Sequence, residues 1–189
     1  MEEIVNIPLA FAENTVLETT RLHLRPLKIT DAQDMYEYAS DEETTRYVFQ
    51  QHRSLDDTKF AIANYFMAEP LGKYAIEEKK SGKMIGTIDL RVESNYGRGE
   101  IGYTLNKAYW GQGIMPEAAF ALLALGFDKM KLVSISAYHN LENRKSGRVM
   151  EKLGMKKVTE IKSSRLWKGV LIDEGFYMMT AADWQKRVM

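Results

Sequence analysis

The segment Tyr109-Trp110-Gly111-Gln112-Gly113-Ile114-Met115-Pro116-Glu117 sets two glycines between the end of an alternating strand and the start of an Ala- and Leu-rich helix. Glycines strip side chains from such a loop, and the first turn of a helix leaves amide N–H groups unpartnered while the helix dipole adds positive character. The chemistry favoured there is binding of a phosphate or pyrophosphate. The Gly-Lys-Ser/Thr ending of a P-loop is absent, and with it the lysine and the hydroxyl that holds Mg²⁺. An anionic cofactor that needs no metal fits the spacing; a glycine turn with a helix cap is the plainer alternative. A second run, Gly97-Arg98-Gly99-Glu100-Ile101-Gly102, spells the dinucleotide fingerprint but lacks its context. Ile101, Tyr103 and Leu105 alternate as a strand where a helix should open, so Gly97 and Gly99 are read as turn glycines.

Other reactive side chains narrow the chemistry. The sequence has no cysteine, which excludes disulfides, thiolate metal sites and a covalent thiol intermediate. His23, His52 and His139 show no metal-ligand spacing, and no metal is expected. His23 falls on the polar face of a strand, and His139 ends a strand beside the expected cofactor cleft, where it could touch substrate.

Periodicity supplies the elements that must hold these residues. Arg21 to Arg25 alternate as a half-buried strand ended by Pro26. Thr30-Asp31-Ala32-Gln33 reads as a capping box opening a helix over 31–40, and Ser54-Leu55-Asp56-Asp57 opens a second one. Three strands follow, Tyr74 to Glu78, Lys83 to Val92 and Glu100 to Asn106, joined by tight turns as an antiparallel meander. A helix over Glu117 to Lys129, a strand over Leu132 to Tyr138, a helix over Asn143 to Leu153 closed by Gly154, and strands ending near Thr180 complete the chain. The order β-α-α-β-β-β-α-β-α-β-β describes an α+β fold with a mixed sheet, one domain over residues 1–189 with an N-terminal arm at 1–16.

The 189 residues carry 26 Lys+Arg and 26 Asp+Glu, a balance that argues against coating nucleic acid or an anionic membrane. The longest apolar run, Ala118 to Phe127, is too short to span a bilayer, and the amino terminus has neither a basic nor an apolar leader segment, so the cytoplasm is the expected compartment. The zero conceals an asymmetry: residues 1–57 hold 12 acidic and 5 basic side chains, the remainder 14 acidic and 21 basic.

Four segments, in order, give the chain a family likeness: Glu18 to Leu27; Gly82 to Ile88; Glu100-Ile101-Gly102-Tyr103 leading into Trp110 to Gly113; and Asn143-Arg144-Lys145-Ser146 continuing to Glu151-Lys152-Leu153-Gly154-Met155. Together they resemble the GCN5-related N-acetyltransferase (GNAT) superfamily, in its ribosomal-protein N-terminal acetyltransferase branch, over about residues 18 to 184. The resemblance implies a GNAT fold, a mixed and mostly antiparallel central sheet flanked by helices. It implies acetyl transfer from acetyl-CoA to a primary amine by direct attack. The cofactor residues it marks are Tyr103, Thr104, Leu105, Trp110, Gly111, Gln112, Gly113, Ile114 and Met115, with Asn143 on the pantetheine arm and Ser146 near the sulfur. Three departures stand out. Trp110 replaces the usual Gln or Arg, Met115 stands where Gly or Ala is common, and Met150 replaces the tyrosine that serves many relatives as general acid.

The catalytic candidates are those that the resemblance implies, weighed against the proton inventory. Deprotonating a lysine-like amine of pKa about 10.4 at pH 7 costs roughly 4.6 kcal/mol, and an α-amine of about 7.8 roughly 1.1 kcal/mol. A carboxylate, acting directly or through water, is the natural base, and Glu100 on the cofactor strand is the candidate. Ser146, Tyr138 or a relayed water could reprotonate the leaving thiolate. A backbone N–H near Leu105 would hold the oxyanion. The acceptor is the N-terminal amine of a protein, such as a ribosomal protein, or a small amine of polyamine or aminoglycoside type; a non-catalytic acyl-CoA-binding module is the reading outside enzymes. A monomer or homodimer is expected. The acidic stretch from Asp31 to Asp57 is expected to border the acceptor, and Arg144, Lys145, Arg148 and Lys152 to face the CoA arm.

Overall fold

The computed structural model describes residues 5–188. Part of the expected N-terminal arm folds as helix α1 (Ile7–Glu13), which buries Ala10 and Phe11 in the main core. The short strand β1 (Leu17–Glu18) leads to β2 (Leu22–Arg25), where Leu22 and Leu24 are fully buried and the alternate residues face outward. His23 lies between Glu18 and Glu77, at 3.2 and 3.3 Å.

Helix α2 (Ala32–Ala39) starts close to the expected place without the expected box. Asp31 acts instead: its carboxylate accepts the Lys28 N–H at 2.8 Å and the Arg25 guanidinium at 2.8 Å, two partners that the neutral Thr30 hydroxyl could not satisfy together. After α3 (Glu42–Thr45), helix α4 (Leu55–Ala61) opens through the expected Ser54–Asp57 box, with reciprocal bonds of 3.1 Å, and widens into a π turn through Met67.

Strands β3 (Lys73–Glu78), β4 (Lys83–Glu93) and β5 (Arg98–Leu105) form the expected meander. Gly97 is the turn glycine, with φ +59. Gly99 belongs to β5, where a Cβ would lie 2.9 Å from Leu90 Cδ1 and 3.0 Å from Leu132 Cδ1; close packing, not turning, requires it. Alternate residues of β3 and β4 feed two cores, Ile76, Ile85 and Ile88 on one face and Ala75 and Met84 on the other.

Helix α5 (Ile114–Ala124) begins three residues earlier than the sequence suggests and ends in a π turn over Leu125–Lys129. Pro116 therefore sits third in the helix, where an N–H would have no helical partner in any case. Strand β6 (Ser134–Asn140), helix α6 (Arg144–Leu153) and the long hairpin of β7 (Lys156–Trp167) and β8 (Val170–Thr180) follow. A last helix, α7 (Ala181–Val188), goes beyond the expected order; its Trp184 is buried, and the indole donates to Asp128 at 2.8 Å.

The eight strands lie in the order β1-β2-β3-β4-β5-β6-β8-β7, with antiparallel neighbours except for β5 and β6. That parallel pair is short. Only Arg98–Glu100 meets Ser134–Ser136; beyond it β5 stays with β4, β6 stays with β8, and the sheet opens.

Candidate active site

The opening exposes backbone that would otherwise be paired. Asn106 N–H donates to the Ile85 carbonyl at 2.8 Å, which sets the phase of the β4–β5 ladder. Bonded and open pairs alternate in an antiparallel ladder, so Tyr103 and Leu105, opposite Ile88 and Gly86, turn their N–H and C=O groups toward the gap. The Trp110 indole takes the Leu105 carbonyl at 2.8 Å, and the Leu105 N–H faces the gap. Gly86 permits this geometry, because a Cβ there would lie 2.4 Å from the Thr104 carbonyl oxygen and 3.1 Å from Leu105 Cα. Gly86→Ala is therefore expected to push β5 into the gap and to destabilise the fold by roughly 1–3 kcal/mol through overpacking. Chemical denaturation checks this, and an unchanged midpoint would show that β5 yields without strain.

On one side of the gap lies a cavity of about 480 Å³, lined by Leu105, Trp110, Gly111, Gly113, Ile114 and Met115, and closed by Asn143 and Ser146 from α6. Gly111 and Gly113 have φ of +79 and +75, a conformation that side chains disfavour, and nothing lies within 4 Å of a Cβ on Gly111. Among the described residues, no protein acceptor meets the N–H groups of Gly113, Ile114 or Met115. Arg46, Arg144, Lys145, Arg148 and Lys152 line the same cavity against Glu43 and Glu142, and Lys145 Nζ lies 3.8 Å from the Trp110 ring. An anion-binding cradle of this kind suits a pyrophosphate with a further phosphate. Gln112 stands apart from the lining: its side chain donates to the Ala108 carbonyl at 3.1 Å, and its own carbonyl accepts from Arg21 at 3.0 Å. Arg21 also pairs with Glu117 at 2.6 Å, cancelling a negative charge in the first turn of α5.

Thr104, Tyr103, Asn143 and Ser146 line both this cavity and a second one. Asn143 caps α6, its Oδ1 accepting the Ser146 N–H at 3.3 Å. The Tyr103 hydroxyl lies 3.0 Å from Ser146 Oγ and donates to the Ser146 carbonyl at 3.1 Å, while burial raises its pKa and keeps the phenol neutral. Met150 is buried core, so the phenol near Ser146 comes from β5 and not from α6.

The second cavity, of about 640 Å³, contains Asp89, Arg91 and Glu100. Arg91 shares its guanidinium between two carboxylates, reaching Glu100 at 2.6 Å with Nη2 and Asp89 with Nη1. The Asp89 side chain is 13% exposed and that of Glu100 42%. Burial, with the Glu100 charge, pushes the Asp89 carboxyl up to about 6 against the pull of Arg91. Tyr138 lines this cavity, half-exposed, its ring stacked on Phe176 at 4.8 Å and its pKa raised by burial and by Glu100. His52 meets Thr58 Oγ1 at 2.8 Å, and burial lowers its pKa, keeping the ring neutral at pH 7. His139 Nδ1 pairs with the Asn140 carbonyl at 2.8 Å, and its ring fits because residues 147 and 175 are glycines, where a Cβ would come within 3.0 and 2.7 Å.

Sequence reasoning identified Glu100 but missed Asp89 and Arg91, whose signal was period-two spacing on β4 opposite Gly102 and Glu100. It also misplaced the source of acidity. Most carboxylates from Asp31 to Asp57 serve the scaffold: Asp31 holds Arg25, Asp34 accepts the Met84 N–H, Glu37 pairs with Lys83, Asp41 with Lys107, and Asp57 caps α4, while Glu43 lines the basic cavity and none of these carboxylates lines the 640 Å³ one.

Residues 21–156 match the family model for an acetyltransferase (GNAT) domain. The chain belongs to the GNAT acetyltransferase family. An uncharacterized N-acetyltransferase, p20 of Bacillus licheniformis, is 31% identical over 162 residues, 83% of this chain and 91% of that protein. A GNAT acetyltransferase of Bacillus anthracis has a similar structure, with a TM-score of 0.81 and 27% identity over 88% of this chain and 99% of that one. The ribosomal-protein-S5-alanine acetyltransferase of Vibrio fischeri shares the fold, with a TM-score of 0.72 and 23% identity over 90% of this chain and 99% of that one. This GNAT protein is thus an acyltransferase of the N-acetyltransferase type. No helix among its described residues is long and apolar enough to cross a membrane.

Proposed function

We propose that this GNAT protein uses acetyl-CoA to acetylate a primary amine by direct attack, with CoA in the 480 Å³ cavity and the amine in the 640 Å³ one. The observation that carries the reading is the meeting of a basic, amide-lined cavity and a carboxylate-bearing one at the open end of β5, beside Thr104, Asn143 and Ser146. Bound there, acetyl-CoA supplies its acetyl group as a thioester. The Gly113, Ile114 and Met115 amides and the surrounding cations would hold its phosphates, and Asn143 its pantetheine arm.

The chain's own groups account for the charges and protons. The Leu105 amide would donate to the thioester oxygen as negative charge develops on it. Asp89, with Glu100 across Arg91, takes a proton from the bound ammonium to give the neutral amine that attacks, and the second nitrogen proton leaves as the tetrahedral adduct collapses to the amide. Ser146, its Oγ 3.0 Å from the Tyr103 hydroxyl, would pass to the sulfur, as the C–S bond breaks, the proton that the nitrogen releases. The fold shared with the ribosomal-protein acetyltransferase does not name the acceptor; the cavity that receives the amine has to select it.

Calorimetry with acetyl-CoA and thiol release over a panel of peptides, polyamines, aminoglycosides and monoamines test the proposal. Saturable binding and turnover on at least one amine are expected. Saturable binding without turnover on any amine would make the chain a CoA-binding module.

A further inference from the structure

The 640 Å³ cavity has a definite charge count. Its ionised wall consists of Asp89, Glu100 and Glu174 against Arg91 and Arg165. Glu174 is fully engaged, one oxygen accepting from Arg165 Nε at 2.9 Å and the other from Ser164 Oγ at 2.5 Å. Arg91 satisfies one oxygen each of Asp89 and Glu100, the Gly102 N–H also serves the Asp89 carboxylate, and no further side-chain donor among the described residues is bonded to Asp89 or Glu100. Within the lining one negative charge therefore remains unmatched, on the Arg91 fork; Lys73, which favours the Asp89 anion from outside the lining, is held by the Tyr65 carbonyl at 2.6 Å and lies 3.8 Å from Glu69.

The surroundings of that fork are aromatic. Tyr65 stands close enough to Asp89 and Arg91, and Tyr138 to Glu100 and Glu174, for those charges to shift the phenol pKa values. Tyr47, Phe49 and Phe66 extend the wall. The far side is bounded by the β7–β8 hairpin, whose tip is tied across to the chain after α3: Trp167 Nε1 donates to the Arg46 carbonyl at 2.9 Å, and Lys168 Nζ to the Thr45 carbonyl at 3.4 Å. The volume lies within the range of small-ligand pockets.

We infer that the acceptor is a small monoamine, a single primary ammonium on an apolar, ring-bearing body, the ammonium lying between Asp89 and Glu100 and the body against the aromatic wall. This inference rests on the amine-acetylating reading above. A single ammonium neutralises the fork. A polyamine would bring further charges that only engaged carboxylates could meet, and its polymethylene chain would leave the aromatic wall poorly filled. A peptide lying along Tyr47, Phe49, Tyr65 and Phe66 would leave backbone N–H and C=O groups unpaired on that side.

The test uses 2-phenylethylamine, spermidine and a tetrapeptide with a free N-terminus, each by calorimetry on the full chain and by thiol release with acetyl-CoA. The expected result is that 2-phenylethylamine binds and has a kcat/KM at least tenfold above the other two. Arg91→Met, assayed well above the Asp89 pKa so that both carboxylates of the fork are ionised, is expected to shift the spermidine to phenylethylamine ratio at least tenfold toward spermidine. Equal or better use of spermidine or of the peptide by the wild-type protein overturns the inference while leaving acetyl transfer intact. Binding of 2-phenylethylamine without turnover of any amine supports the cavity assignment and overturns the catalytic reading. Failure of 2-phenylethylamine to bind overturns the inference outright.

Discussion

Gly113→Asp is expected to weaken acetyl-CoA binding on the order of 100-fold, and Gly113→Asn only severalfold. Gly113 has φ +75 at the N-cap of α5, and Asp and Asn are the side chains that tolerate this conformation best. They have nearly the same shape, so the difference between the two variants isolates charge. A carboxylate about 5 Å from a phosphate, at an effective dielectric near 20, is repelled by roughly 3 kcal/mol, or about two decades in affinity. Arg21 does not rescue the variant. Its Nη2 lies 3.7 Å from a Cβ at this position, yet the guanidinium already neutralises Glu117, and moving it to a new aspartate would leave Glu117 uncovered in the same turn. The local charge falls by one in either arrangement. Calorimetry with acetyl-CoA checks the pair, and equal affinities for Asp and Asn would remove the phosphate from this loop.

Much of this architecture was legible because it depends on local rules. The alternation of Leu22 and Leu24, the Ser54–Asp57 box and the Gly154 helix end each follow from a few neighbouring residues, and each is present. The loop at Trp110–Gly113 was legible for the same reason. What failed required knowledge of distant partners. The turn that leads into the helix after Thr30 is closed by Asp31, whose carboxylate accepts the Lys28 N–H and holds Arg25 across the β2–α2 connection. Gly99 resembles a turn glycine in sequence but is packed against Leu90 and Leu132. Helix α7 has one large apolar anchor, Trp184, too little to show a helical period.

The charge asymmetry shows the same limit more sharply. The basic half behaves as expected, with Arg144, Lys145, Arg148 and Lys152 around the amide cradle. The acidic half does not: most of its carboxylates are used as caps and ion pairs around α2, α3 and α4, and the 640 Å³ cavity takes its acidity from β4, β5 and β8. A charge total along the chain records how many carboxylates a segment has. It cannot record which of them are already hydrogen-bonded, and only the unengaged ones can bind a cation or move a proton.

Asp89 is the carboxylate on which this distinction matters most. Asp89→Asn is expected to lower kcat/KM about 100-fold or more, within the range of a lost general base, with acetyl-CoA affinity unchanged. A carboxyl accepts a proton only when ionised. With its pKa pushed up to about 6, Asp89 is largely protonated below that pH and basic above it, so wild-type activity should rise through pH 6 and level off. Arg91 and Glu100 face it within the cavity, Tyr65 from the end of α4, and Lys73 from β3, where Lys73 is held by the Tyr65 carbonyl at 2.6 Å. Arg91 and Lys73 favour the anion, while burial and Glu100 oppose it more strongly. The elevated value suits Asp89 to take a proton from the bound ammonium before the N–C bond forms. Glu100→Gln removes the more exposed partner and is expected to cost less. A pH–rate profile of both variants from pH 5 to 9 decides between them: a limb near pH 6 that persists in Asp89→Asn and vanishes in Glu100→Gln would transfer the base role to Glu100.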